Sequence, residues 1–257
     1  MAIIFDSHCH LNDPQFKKDL EEVLSRAKSF GVEKILIPGY DLPSSIKAVE
    51  LAEKYNLYAS CGLHPHDAKK FTPATLKEIE RLVKSSSKVV AIGEIGLDFY
   101  KNYSPQEVQK EVFTQFLQLA EGLKKPVILH VRNAYKEVFD IIEDFSLVSV
   151  IFHCFSGGPQ EAEIILQREN YYISFSGTIT YKNDALIRVA KLVPPEKILI
   201  ETDSPYLTPS LEKGRNEPAY VRHVLKKISD IKKIDYEELA RITYENTLKA
   251  FGISENS

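Results

Sequence analysis

Six of the seven histidines in this chain stand where extended segments end. His8 and His10 follow the run Ile3 to Phe5, His64 and His66 follow Leu57 to Ser60, His130 closes Val127 to Leu129, and His153 closes Val148 to Phe152. Only His223 falls on a helical stretch. Two carboxylates occupy matching places, Glu94 after Val89 to Ile92 and Asp203 after Ile198 to Ile200. Imidazole and carboxylate together suit a divalent transition metal, and His8, His10, Glu94, His130, His153 and Asp203 exceed what one tetrahedral ion needs. Two neighbouring ions are expected. Residues i and i+2 of a strand share a side, so His8 can face one axis with His10, and Glu201 with Asp203. Asp6 and Glu201, one pleat below, are expected either to orient ligands or to form a buried hydrogen-bonded network. Cys9 and Cys154 alternate with ligand histidines and are expected to point away as core thiols.

These groups are far apart in the chain, so the elements between them must bring them together. Lys34 to Ile37 and Tyr171 to Phe175 bring the extended runs to eight. Helical spacing separates them, most clearly in Val108, Val112, Phe116, Leu119 and Leu123, which share one face. Ser104 with Glu107 fits a capping box and Pro105 the first helical position; Thr72–Pro73 and Gly158–Pro159 announce two further starts. After the eighth run come Tyr220 to Ile228 and, behind Asp235 and Glu238, Leu239 to Leu248, which predict two closing helices. Strand and helix alternating eight times call for parallel pairing. The expected fold is therefore α/β, a (β/α)8 TIM barrel forming a single domain over residues 1–257, with extra C-terminal helices. In such a barrel all C-terminal strand ends open onto one face, where the polar residues would converge.

With 257 residues, 44% hydrophobic and 27% charged, the chain is excluded from the disordered and fibrous classes. It has no run of apolar residues long enough for a membrane span, and its start, MAIIFDSHCH, does not resemble a signal peptide. Three cysteines make neither an even disulfide set nor a CxxC pair, so reduced thiols and a cytoplasmic location are expected. The net charge of −3 does not advertise nucleic acid, so any polyanion site must be local.

The ordered series DSHCH (6–10), GLHPH (62–66), GEIGLD (93–98), HVR (130–132), HCFSG (153–157), ETDSP (201–205) and RNEP (215–218) resembles the TatD family of metal-dependent deoxyribonucleases. The resemblance spans nearly the whole chain. It implies a TIM-barrel phosphodiesterase acting on DNA, with 3′–5′ exonuclease action on ends or single strands, and magnesium, manganese or zinc as the metal. It carries metal-ligand roles onto His8, His10, Glu94, His130, His153 and Asp203, with Glu94 bridging two ions. DNA is then the partner as substrate, with no membrane and no obligate protein partner.

A metal can lower the pKa of bound water from about 15.7 to about 7, making the nucleophile available at a saving of about 12 kcal/mol. The expected arrangement has one ion on His8, His10 and Asp203 and a second on His130 and His153, with Glu94 and an activated water shared. Asp203 is the expected proton acceptor, and Glu94 the second catalytic carboxylate. For substrate binding the candidates are His64, Arg132, Arg215 and Asn216, with the loop lysines Lys69, Lys70, Lys101, Lys182 and Lys213 as weaker cations. Tyr100, Tyr103, Phe155 and Tyr206 are candidates for stacking on bases. The competing enzyme reading is an amidohydrolase or phosphotriesterase-like hydrolase of a small substrate. Its group often places a modified lysine near the end of the fourth strand, where this chain has Glu94. A non-catalytic binding protein retaining a structural metal is the reading from a different class.

Overall fold

A strand reaches a parallel neighbour only through a crossover, and in the computed structural model every crossover contains a helix. Residues 2–254 are described. The strands are β1 (Ile4–Asp6), β2 (Val32–Pro38), β3 (Tyr58–Cys61), β4 (Val89–Asp98), β5 (Val127–Arg132), β6 (Val150–Phe152), β7 (Tyr171–Phe175) and β8 (Ile198–Ile200). Seven helices alternate with them: α1 (Leu20–Ser29), α2 (Leu42–Tyr55), α3 (Pro73–Ser85), α4 (Gln106–Leu123), α5 (Tyr135–Ile142), α6 (Pro159–Leu166) and α7 (Asp184–Leu192). After β8 come α8 (Val221–Lys232) and α9 (Tyr236–Phe251). Spatial order equals chain order. The ring joins where Ser7 N donates to Ile200 O at 3.1 Å and Asp203 N to His8 O at 2.9 Å. This is the expected TIM barrel.

Two buried clusters follow from the period of two in each strand. The larger packs outward-facing residues such as Ile35, Ile37, Val127, Leu129, Val150 and Phe152 against the helices. The smaller takes Phe5, Leu36, Tyr58, Val90, Ile128, Ile151, Tyr172 and Leu199, from eight different strands, and packs them with Leu248, Ala250 and Phe251 of α9. These residues fill the lower barrel, and α9 closes it from below. Two residues further along several of the same strands stand polar groups: His130 above Ile128, His153 above Ile151, Ser174 above Tyr172 and Glu201 above Leu199. The interior therefore changes from apolar to polar along the barrel axis.

The helix starts agree with expectation only in part. Thr72 caps α3 through Thr75 N, and Gly158 N donates to Glu161 at the start of α6. Asp235 caps α9 through Glu237 N and Glu238 N, but the Glu238 side chain turns to Arg241 instead of completing a box. The Ser104–Glu107 box does not form. Helix α4 begins one residue later than expected, with Pro105 at its cap, and the Ser104 hydroxyl donates to His66 O and accepts from Lys69 N. A tertiary tie between the loops after β3 and β4 has displaced the local cap. Ile3 and Val148, expected within strands, are exposed and precede β1 and β6. Among the described residues, no helix is long and apolar enough to cross a membrane.

Asn246 fastens the closing helix. Its amide donates to Pro195 O at 2.7 Å in the turn before β8 and to Ile198 O at 2.9 Å, buried at the first residue of that strand. Replacing Asn246 with Ala strands both carbonyls and should cost about 1–3 kcal/mol. Urea unfolding followed by circular dichroism reads this directly; an unchanged midpoint would show that α9 is held by its apolar face alone.

Candidate metal centre

Glu94 and His130 within β4 and β5, His153 just past β6, Asp203 past β8 and His10 past β1 line a cleft of about 510 Å³, and His8 lies fully buried beside them. Glu94 lies at the centre, nearly fully buried, and its two oxygens face different partners. Oε2 lies 3.5 Å from His8 Nε2 and 3.8 Å from His10 Nε2. Asp203 Oδ1 closes the same group, 3.3 Å from His10 Nε2 and 3.7 Å from His8 Nε2. Oε1 lies 2.9 Å from His153 Nε2, 3.0 Å from His130 Nδ1 and 3.3 Å from His64 Nε2. The six expected ligands thus divide into two sets that share one carboxylate.

The donor chemistry fits a pair of cations. Bonds near 2.1 Å imply ligand–ligand edges of about 3.0 Å in an octahedron and about 3.4 Å in a tetrahedron. The donor separations above span that range. His8 Nε2 and His10 Nε2 face each other at 3.2 Å, while the Nδ1 atoms of both rings are buried without a protein partner. Protein atoms alone leave this pair under-satisfied; a cation between the two ring lone pairs removes the conflict. His8 with His10 and Glu94, and Glu94 with His130 and His153, each form a triad of mutually close ligand atoms.

Carboxylates behind the ligands hold the rings in place. Glu201 lies 3.3 Å from His153 Nδ1 and accepts from Cys154 N at 2.7 Å and Ser174 Oγ at 2.5 Å. Asp98 lies 3.3 Å from His130 Nε2 and 2.7 Å from His66 Nε2. In both rings the nitrogen facing away from the cleft is engaged, which aims the other at Glu94. Asp6 instead binds Thr202 N at 2.9 Å and Thr202 Oγ1 at 2.6 Å, so it ties β1 to the segment after β8. Burial pushes its carboxyl up to about 8. Burial also opposes charge on Glu94, but His153, His64 and His130 outweigh it and hold the carboxyl well below the usual range. For His153 burial is likewise overcome, by Glu94 and Glu201, and the ring is held well above an ordinary histidine. His64 goes the other way, pushed down to about 4 by burial and by His130.

The remaining candidates separate. His64, Arg132 and Tyr206 line the cleft, as does His66. The Arg132 guanidinium lies 3.9 Å over the Tyr100 ring. Arg215 does not reach the cleft. Its guanidinium grips both oxygens of Asp19, at 2.9 and 2.6 Å, and lies over Phe16. Asn216 is fully buried and donates to Thr202 O at 2.9 Å and Tyr206 O at 2.6 Å, bracing the loop after β8 from behind. Phe155 is buried against Tyr135 and presents no face for stacking. Cys9 is a core thiol beside Ser204, but Cys154 is not: its backbone is left-handed and it lines the cleft, 3.3 Å from Ser176 Oγ. Strict alternation fails there because β6 has already ended at Phe152. Asp98 was named only within its motif, with no role assigned. Its signal was the i, i+4 spacing from Glu94 on a strand that runs past Ile92 to Asp98.

Divalent ions that bind the native centre should raise the melting temperature. Glu94→Gln should lose that rise for zinc, manganese and magnesium alike, whereas Arg215→Ala should lower the metal-free melting temperature and keep the rise. Calorimetric scans with and without chelator test both; a full metal response in Glu94→Gln would remove Glu94 from the ligand set.

Residues 5–252 match the family described as TatD related DNase. The chain is 42% identical to YabD of Bacillus subtilis, an uncharacterized metal-dependent hydrolase, over 98% of this chain and 100% of that protein. It is 36% identical to the 3′-5′ ssDNA/RNA exonuclease TatD of Escherichia coli, over 98% of this chain and 100% of that one. The crystal structure of YjjV, a TatD homolog from Escherichia coli, superposes with a TM-score of 0.92 at 32% identity, covering 98% of both chains. By its family match and its relatives the chain is a metal-dependent hydrolase, and it belongs to the TatD related DNase family.

Proposed function

We propose that this protein removes nucleotides from the 3′ end of single-stranded nucleic acid, by hydrolysis of phosphodiester bonds at a centre of two divalent ions. The observation that carries the reading is the division of Glu94, one oxygen toward His8 and His10 and the other toward His130 and His153. His8, His10 and Asp203 would hold one ion, His130 and His153 the other, and Glu94 both. When bound, such a pair supplies an acidified water and balances charge on the attacking and departing oxygens.

The chain's own groups supply the rest. Burial disfavours charge on Asp203, but His10 and His8 more than compensate, and its carboxyl is held low. Asp203 is thus ionised at neutral pH and free to accept a proton at the cleft surface. His64 Nδ1 accepts from His66 N at 3.1 Å, so a neutral His64 carries its proton on Nε2, facing the cleft. A proton there bars that nitrogen from ligating and makes it a donor to a phosphate oxygen. Arg132 and Tyr100 form a flat cationic and aromatic platform at the rim, suited to a phosphate on one side and a base on the other. Lys101 lies near the Tyr100 and Tyr103 rings and adds charge there. Few cations surround the cleft, which suits one strand end over a long duplex. The carboxylate at the position of the modified lysine disfavours amide hydrolysis.

The test is a chelate-and-restore assay on end-labelled single strands of DNA and RNA with magnesium, manganese and zinc, beside a closed circular duplex and an amide. Activity should vanish with chelator, return with metal and favour the single strand. Asp203→Asn should lower kcat by about 10²–10⁴-fold with the melting temperature largely kept. Near-normal turnover in that variant removes Asp203 from the mechanism, and preference for the closed circle defeats the end-directed reading.

A further inference from the structure

At the other end of the barrel, opposite the metal face, lies a cavity of about 740 Å³. It opens beside the first residues of β4, β5 and β6 and is walled by the last turn of α9. Four lysines line it: Lys88, Lys124, Lys125 and Lys249. None of the four makes an ion pair among the described residues, and no carboxylate of those residues lines the cavity. Lys88 and Lys125 are half-buried, each with a donor committed elsewhere, Lys88 to Asn56 Oδ1 at 2.6 Å and Lys125 to Val89 O at 2.7 Å. An ammonium has three donors, so both retain hydrogens for a ligand. Lys124 and Lys249 stand exposed at the rim.

Lysines at helix ends have an ordinary explanation, since a helix C-terminus carries partial negative charge. Three such ends meet here, α3 at Ser86, α4 at Lys124 and α9 at Gly252, worth about half a unit each, against four full positive charges. Among the described residues an excess of about two and a half charges remains. Ser149 lines the same wall, but its hydroxyl oxygen has no surface open to the cavity, and the site rests on the four ammoniums.

We propose that this cavity binds a small anion carrying two or more phosphate groups, of the pyrophosphate or nucleoside diphosphate class. One carboxylate could not engage four ammoniums set around a space of this size. Linked phosphates present several charged oxygens at once, and lysine meets them as a point charge that needs no planar geometry. The cavity is larger than the catalytic cleft and within the range of small-molecule sites.

The test is isothermal titration of the full chain, loaded with metal, using inorganic pyrophosphate, adenosine diphosphate and a short single-stranded oligonucleotide. The metal face can also attract phosphate, so the assignment rests on variants remote from it. Lys124→Glu with Lys249→Glu should weaken pyrophosphate or adenosine diphosphate by at least about tenfold, with nuclease activity and melting temperature unchanged. Binding of pyrophosphate alone would assign the inorganic source, and tighter binding of adenosine diphosphate the nucleotide. Equal affinity in the charge-reversed and native proteins overturns the proposal. So does a charge reversal that weakens only the oligonucleotide.

Discussion

A carboxylate buried among imidazoles is the constraint on which the upper half of this barrel depends. Glu94 is removed from water, and a lone charge there would be driven to protonate. It stays charged because His153, His130 and His64 approach one oxygen while His8 and His10 approach the other. His153, His64 and His130 are the groups that outweigh its burial. The same donor set of imidazole and carboxylate suits a divalent cation.

Holding such a cluster open requires rigid walls. A parallel barrel supplies them by sending every strand toward the same face, so that side chains from β4 and β8 meet across the axis although their residues are over a hundred positions apart. The lower interior is filled by apolar residues of all eight strands and closed by α9. Polar groups are thereby confined to the upper layer, where Glu201 and Asp98 fix the rings of His153 and His130. The tautomer of His64 is set in the same way by a backbone N–H.

The loop after β8 illustrates how a motif can matter without touching substrate. Asn216 holds the carbonyls of Thr202 and Tyr206 on either side of Asp203, and Glu217 takes a bidentate contact from Arg26. Arg215 reaches Asp19 at the start of α1. These contacts clamp the segment carrying Asp203 onto the first βα unit. Motif residues that look suited to phosphate are here spent on keeping a carboxylate in position.

Eight runs of alternating strand and helix, and imidazoles and acids at the run ends, were legible in the chain because strand period and helix period leave direct marks in residue order. So were the six ligand candidates as a group, since each lies in the upper half of a strand or just beyond its end, in a fold that gathers those ends. The destination of long polar side chains was not legible. Arg132 and Arg215 differ little in local sequence character, yet one faces the cleft and the other pairs with Asp19. Cys154 left the core because its strand ended one residue before His153, and Asp98 joined the site because its strand ran on. The order of residues determined which groups reach the catalytic end of the barrel; tertiary packing decided which nitrogen or oxygen each presents there, because that depends on partners distant in the chain.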